Sequence, residues 1–389
     1  MSRKRKISLL VFHPSLIYGG AERTTTNLVS GLNTERFEVY FLSQPEIWKS
    51  LGDNLTNFTY IPAHTNTWFG SLKDIMRDVF FVGRVLKDRK PELALGVMPY
   101  AAFLLVTAKK LFRLKTKIIV SSRAPLSRVL TFVRSAWNLK STDVLSLKWK
   151  FILYCRLADA FISASRGSLE EHIRDFHVRR QKAFVIPNGI NLGEVSRLAK
   201  EPVELPFGKE LPVIAWVGRI SPEKRLDFIF EAFSQTVKEI PSRLMILGEG
   251  EYRSELEQLA RQLGIENFIY FAGFKENIYP YLARSDIFVH ACHHEEFGYT
   301  MIEAMACGLP VISQDCPYGP GEILDGGKYG ILVSDTGDMA HAIKKLLSDS
   351  LIRKDLSQKS LLRAENYSLD KIIALYEETF TKVYQDENF

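Results

Sequence analysis

Cysteine is scarce in this sequence. Cys155, Cys292, Cys307 and Cys316 are the only four in 389 residues, and they form no Cys-x-x-Cys pair and have no histidine at zinc-site spacing. That argues against a disulfide framework and a metal site, and points to free, buried thiols in a reducing compartment. Long apolar runs are missing too: none approaches the roughly 18 residues that would span a bilayer, so the expectation is a soluble or peripheral protein. The start, MSRKRKISLLVF, is basic like a signal peptide, but its apolar run stops at His13-Pro14 and no small-residue cleavage site follows. A first β-strand accounts for it better. No Gly-x-Gly-x-x-Gly follows an apolar run, which disfavours a nicotinamide oxidoreductase. Zinc-finger, RNP-type and helix-turn-helix signatures are absent, and with them the case for nucleic acid. There is no internal repeat or low-complexity tract.

What is present is globular. Hydrophobic residues make up 46% and charged residues 25%, the composition of a chain that folds. Its 389 residues exceed one ordinary core and suit two domains of roughly 150 to 200 residues each. Charge is uneven: residues 1–190 hold 30 Lys+Arg against 14 Asp+Glu, and residues 191–389 hold 21 against 31. Residues 101–150 carry 11 basic groups and one acid, Asp143, interleaved with Leu111, Phe112, Phe132, Trp137 and Trp149. This pattern suits contact with anionic lipid or a pyrophosphate-bearing acceptor, with a solvated basic face as the rival reading.

Apolar strand-like runs alternate with helical stretches along the whole length. FEVYFLS (37–43), ELALGV (92–97), KIIVSSR (117–123), AFISAS and AFVIPNGI read as strands, with helices around 71–88 and 100–112 and a basic amphipathic region over 126–158. Such alternation predicts parallel sheets covered by helices, an α/β protein. Pro187-Asn188-Gly189 is a turn, and residues 194–210 read as a polar surface connection. VIAWVGR, RLMIL before Gly248-Glu249-Gly250, a strand ending at Gly273-Phe274, and LPVIS continue the pattern. An amphipathic segment at 366–389 closes it.

One stretch, HHEEFGYTMIEAMACGLPVIS at 293–313, organises the rest. SDIFVHAC before it is strand-like, and YTMIEAMA has strong helix formers with no Gly or Pro before Gly308. Ligands of open α/β sheets sit beyond the carboxyl ends of strands. At the Phe297-Gly298 turn the backbone can approach a ligand closely, and the following helix dipole favours an anion. Glu295 and Glu303 flank that turn, and carboxylates accept hydrogen bonds from hydroxyls, so the implied ligand carries both phosphate and sugar. The rival reading is a helix-terminus charge at Glu295 and a solvated helix face at Glu303. Arg219 and Lys224, after VIAWVG with Pro222 at a helix start, could neutralise a diphosphate or be surface charges.

The Glu295-to-Glu303 motif has seven intervening residues and Phe-Gly two positions after the first Glu. It resembles that of the retaining glycosyltransferases of family 4, the group 1 glycosyl transferases. Gly19-Gly20-Ala21-Glu22 is similar to that family's Gly-Gly-Ala-Glu loop. Gly218-Arg219 with Glu223-Lys224 is similar to its phosphate-contact motif, and Pro187-Asn188-Gly189 to its interdomain turn. Many members have Gly where this chain has Glu296. The resemblance covers nearly the whole chain and implies the GT-B architecture, two Rossmann-like parallel-sheet domains facing a cleft. It implies an acceptor-binding domain over 1–188, a nucleotide-sugar-binding domain over 189–365, and a last helix in 366–389 crossing back to the first.

The implied activity is retaining, metal-independent transfer of a sugar from a nucleotide sugar, a UDP-hexose or UDP-N-acetylhexosamine. The implied acceptor is a membrane-associated glycan or lipid-linked acceptor of bacterial polysaccharide biosynthesis, reached by peripheral contact with anionic membrane. The resemblance places Glu295, Arg219 and Lys224 in catalysis, Glu303 on the ribose, and Gly19, Gly20, Gly218, Gly273, Phe274, Phe297 and Gly298 around the donor. Ser122 and Arg123 match the family only loosely, and the Gly319-Pro320-Glu322 loop is similar to members acting on lipid-linked oligosaccharides. No metal or cofactor is implied, and the location is cytoplasmic, at the cytoplasmic face of the inner membrane. The alternatives are a phosphorylase or epimerase of this fold, or a non-catalytic sugar-nucleotide-binding protein.

Overall fold

The computed structural model describes residues 5–14, 20–44, 59–63, 72–136, 140–208 and 210–386. Gly19, Trp137 and the side chain of Phe132 lie outside the described residues. The chain divides into two compact units, Met1–Gly189 together with Leu369–Phe389, and Ile190–Ser368.

In the first unit the apolar runs form β1 (Ile7–His13), β2 (Phe37–Ser43), β3 (Thr59–Pro62), β4 (Leu93–Val97), β5 (Lys117–Ser121), β6 (Ala160–Ser163) and β7 (Ala183–Val185). They make one parallel sheet in the order β3-β2-β1-β4-β5-β6-β7. A buried core lies on each face, which is why most strand positions are apolar, with Glu38 of β2 an exposed exception. Because successive side chains point to opposite faces, Leu10 and Phe12 join one core and Leu9 and Val11 the other. The basic amphipathic region resolves into two helices, Leu126–Ala136 and Ser141–Leu157.

The last helix, Leu369–Gln385, belongs to this first unit. Ile372, Ile373, Tyr376, Phe380 and Val383 lie in the same core as Leu28 and Val29, the spacing of one apolar helix stripe. Burying side chains of this kind contributes about 1.5–3 kcal/mol each. Glu377 accepts from Arg36 at 2.7 Å and from the Asn33 N–H at 2.8 Å. At the helix end Lys117 Nζ donates to the carbonyls of Val383 and Asp386, a cation at the terminus the helix dipole favours.

The second unit holds β8 (Val213–Val217), β9 (Arg243–Leu247), β10 (Ile269–Gly273), β11 (Ile287–His290), β12 (Val311–Gln314) and β13 (Ile331–Val333). They form a parallel sheet in the order β10-β9-β8-β11-β12-β13. Strand order reverses between β8 and β11, so the crevice beyond their carboxyl ends is where such a sheet takes a ligand. The stretch expected as a loose connection after residue 193 includes a helix, Leu192–Leu198. Asn191 caps it by accepting from the Glu194 N–H at 3.0 Å, a cap that stabilises even a short helix.

Candidate functional site

The end of β8 is held by its neighbours' backbones. The Gly218 N–H donates to Leu247 O at 3.0 Å and the Ile220 N–H to Glu249 O at 2.9 Å. Gly248 and Gly250 allow that closeness, since a Cβ on them would lie 1.8 Å from Gly218 O and 2.0 Å from Ile220 O. Between the two bonded residues, Arg219 is exposed and has no partner among the described residues. One strand further out, the Gly248 N–H donates to Gly273 O at 3.0 Å, and Phe274 beside it is 73% exposed. Pro222 opens a 3-10 turn, Pro222–Lys224, rather than the expected α-helix. Arg225 at φ 46° breaks the helical path, and the helix Leu226–Val237 starts only after it.

That turn delivers Lys224 to Glu295. Lys224 Nζ donates to Glu295 Oε2 at 2.6 Å, and His290 Nε2, from the end of β11, lies 3.6 Å from the same oxygen. The loops carrying these groups are tied together, because the His293 N–H donates to Glu223 O at 3.1 Å. Glu295 itself is pinned at both backbone groups: its N–H donates to Pro317 O at 3.2 Å and its carbonyl accepts from the Gly319 N–H at 2.7 Å. Burial disfavours both charges, yet their attraction wins. Glu295 is held well below the usual carboxylate range by Lys224 and His290, and Lys224 is held above the usual lysine range by Glu295. The pair is therefore ionised at neutral pH.

The helix Tyr299–Ala306 begins at Gly298, whose φ is +98°, a conformation that favours glycine. Phe297 is buried against Tyr367, ring centroids 5.5 Å apart, so only its backbone can meet a ligand. Gly319 packs against that backbone, where a Cβ would lie 2.1 Å from Phe297 O. The Gly319-Pro320-Glu322 segment, expected as a loop, is a short helix, Gly319–Ile323. Glu303 is 3% exposed, and its Oε1 accepts from the Tyr279 hydroxyl at 3.0 Å. Burial, with the Glu303 charge nearby, pushes the Cys307 thiol up to about 12.

In the first unit, Gly20, Ser122 and Arg123 lie at the loops that follow β1 and β5. Gly20 opens the helix Gly20–Gly31, and among the described residues nothing lies within 4 Å of where its Cβ would be. Ser122 donates to Ala124 O at 2.7 Å, and Arg123 donates to Asn188 Oδ1 at 3.0 Å and to the Tyr376 hydroxyl at 2.6 Å. The Ser122 bond closes the loop after β5 on itself, and Arg123 fastens that loop to the rest of the unit. Two buried polar residues escaped the sequence reading, His290 and its partner Ser313, whose Oγ lies 3.0 Å from His290 Nδ1. A histidine closing an otherwise apolar strand was the available signal. Among the described residues no group of three or more His, Cys, Asp or Glu could hold a metal ion. No helix among them is long and apolar enough to cross a membrane.

Two family models match the chain, Glycosyltransferase Family 4 over residues 18–194 and Glycosyl transferases group 1 over residues 199–363. A relative from Campylobacter jejuni is 26% identical over 95% of this chain and 97% of its own length. It is named N-acetylgalactosamine-N,N'-diacetylbacillosaminyl-diphospho-undecaprenol 4-alpha-N-acetylgalactosaminyltransferase. A lipopolysaccharide core biosynthesis glycosyltransferase of Rhizobium meliloti is 31% identical over 53% of this chain and 59% of its own. Among solved structures, Anabaena HepE in complex with UDP and glucose superposes with a TM-score of 0.76, covering 96% of this chain and 99% of that one at 21% identity.

Proposed function

The chain belongs to the family 4, group 1 glycosyltransferases and has their GT-B fold, and on that premise we propose a retaining, metal-independent transferase. It moves a hexose or N-acetylhexosamine from a UDP-sugar to a lipid-linked or membrane-associated glycan. The observation that carries this reading is the charge at the strand-order reversal: Arg219 after β8, with no partner among the described residues, and Lys224 bonded to Glu295 beside β11. Cations there neutralise a leaving diphosphate as the bond to the sugar's anomeric carbon breaks. Backbone N–H groups at Phe297 and Gly298 add donors, and no resident metal or cofactor takes part. Glu303 holds the ribose and Glu295 a hydroxyl of the donor sugar. The acceptor oxygen bonds the anomeric carbon from the face the diphosphate leaves, and its proton passes to the departing phosphate oxygen, so neither glutamate is a covalent nucleophile.

A lipid-linked acceptor fits the name of the C. jejuni relative. It also fits the helix Ser141–Leu157, where Leu145, Trp149 and Leu153 are 56%, 63% and 55% exposed at four-residue spacing, with Lys148, Lys150 and Arg156 along the same helix. Such a face inserts shallowly into an anionic leaflet, which would place the enzyme at the cytoplasmic face of a membrane. Vesicles containing phosphatidylglycerol should bind the protein, and binding should weaken as salt rises. Equal binding to neutral phosphatidylcholine vesicles would remove the membrane reading.

The donor reading is tested by nucleoside diphosphate release from UDP-, GDP- and ADP-sugars, wild type beside Glu303→Ala. One UDP-sugar should be turned over, and the variant should raise its KM about tenfold, the loss of one charge-assisted hydrogen bond. Donor binding without release would instead mark a silent binding protein, and unchanged KM in the variant would unseat Glu303.

A further inference from the structure

The two oxygens of the Glu295 carboxylate are not equivalent. Oε2 accepts from Lys224 and faces His290 Nε2, while Oε1 has no partner among the described residues. His290 is 3% exposed, and its Nε2 is a buried polar atom with no hydrogen-bond partner among those residues. At 3.6 Å from Oε2 it stands just beyond hydrogen-bond length. Leaving such an atom unsatisfied costs stability unless another state of the site uses it.

The imidazole is aimed by its surroundings. Parallel pairing of β11 with β12 puts His290 opposite Ser313, whose Oγ meets Nδ1 at 3.0 Å and also reaches Gln314 O at 2.9 Å. Nδ1 is thereby occupied, and only Nε2 is available to the carboxylate. A ring at a strand end moves little, whereas Lys224 is a point charge on a flexible four-carbon stem.

We propose that His290 is a positioning residue that takes over Glu295 Oε2 when the donor diphosphate draws Lys224 away, leaving Oε1 directed at a hydroxyl of the donor sugar. This rests on the reading of Lys224 as a diphosphate cation. Without the hand-over, the departure of Lys224 would strand a part-buried carboxylate with no counter-charge, a strongly destabilising state. Nε2–H can be supplied by the neutral ring, with Ser313 turned to donate to Nδ1, or by the imidazolium.

The role separates sugar from nucleotide. Calorimetric titration with UDP and with UDP-glucose, UDP-N-acetylglucosamine and UDP-N-acetylgalactosamine would be run on wild type, His290→Leu, His290→Gln and Glu295→Gln. For His290→Leu, both Kd values should rise, since each ligand draws Lys224 off Glu295, and that of the preferred UDP-sugar should rise about tenfold further than that of UDP, the worth of the one charge-assisted hydrogen bond from Oε1 to the sugar. Gln, whose amide nitrogen reaches the place of Nε2, should restore most of that loss.

Equal weakening of UDP and UDP-sugar by His290→Leu would show general distortion and overturn the proposal. So would Leu and Gln variants that behave alike. Glu295→Gln separates this failure from that of the donor-site reading. If it loses sugar affinity while His290→Leu does not, only the role of His290 falls. If it too binds like wild type, the donor-site reading falls with it. Should His290→Leu not fold, His290→Asn, which places its amide on the Ser313 side, replaces it as the variant expected to lose sugar affinity.

Discussion

Lys224→Ala is expected to lower kcat/KM for the sugar nucleotide by about 10³-fold, the upper end of what one transition-state charge contact supplies. Two effects coincide at this residue. The substitution removes a cation proposed to meet the leaving diphosphate, and it strips Glu295 of the ammonium 2.6 Å from its Oε2. Steady-state kinetics on the donor found by diphosphate release would measure it, with Lys224→Arg expected to recover part of the loss. Wild-type kcat/KM in Lys224→Ala would end the case for this cation.

The same variant has a pH signature whose sign follows from linkage. In the wild type Glu295 is held below the ordinary carboxylate range, so its ionised form adds stability that is present above the unfolded value of about 4.3 and is lost as pH falls through the lower folded value. With Lys224 gone, burial is opposed by His290 alone, so the carboxyl rises from its wild-type position and the stability that its ionised form adds at neutral pH shrinks. The Tm deficit of Lys224→Ala should therefore be largest at neutral pH and shrink on acidification towards the ordinary carboxylate range. A deficit independent of pH would mean that Glu295 does not feel the lysine.

Arg219→Ala should lower kcat/KM by about 10²-fold while leaving stability within about 0.5 kcal/mol of wild type. The contrast is informative because Arg219 is exposed and partnerless among the described residues. No described residue is held by its side chain, so lost activity would report a ligand contact. Arg219→Lys should be intermediate, since a point charge replaces a planar fork of donors. Activity equal to wild type would move the diphosphate away from the end of β8.

The architecture was largely legible in the sequence because its signals are local. FEVYFLS is the strand Phe37–Ser43 and YTMIEAMA is the helix Tyr299–Ala306; each follows from burial of one kind of repeating face. Strand β3 was not legible, being four residues ending in proline, TYIP, whose place is fixed by pairing with β2. The helix Leu192–Leu198 was obscured by its polar composition and the prolines after it, although Asn191 supplied a cap signal.

The candidate site divides along the same line. Sequence by itself determined which residue types stand after which strands: Arg219 and Lys224 after one apolar run, Glu295 and Glu303 around the Phe297-Gly298 turn after another. Those are statements about neighbours in the chain, set by strand, turn and helix propensity. Only the tertiary structure decided that Lys224 and Glu295, 71 positions apart, share a 2.6 Å bond. It also decided that Gly248 and Gly250 are needed because the backbone of the 218–220 loop lies against them, that Arg123 is spent on Asn188 and Tyr376, and that His290 faces Glu295. The physical reason is the strand order. β8 and β11 are adjacent only because the sheet reverses between them, and that adjacency comes from packing both faces of the sheet, which no local pattern encodes.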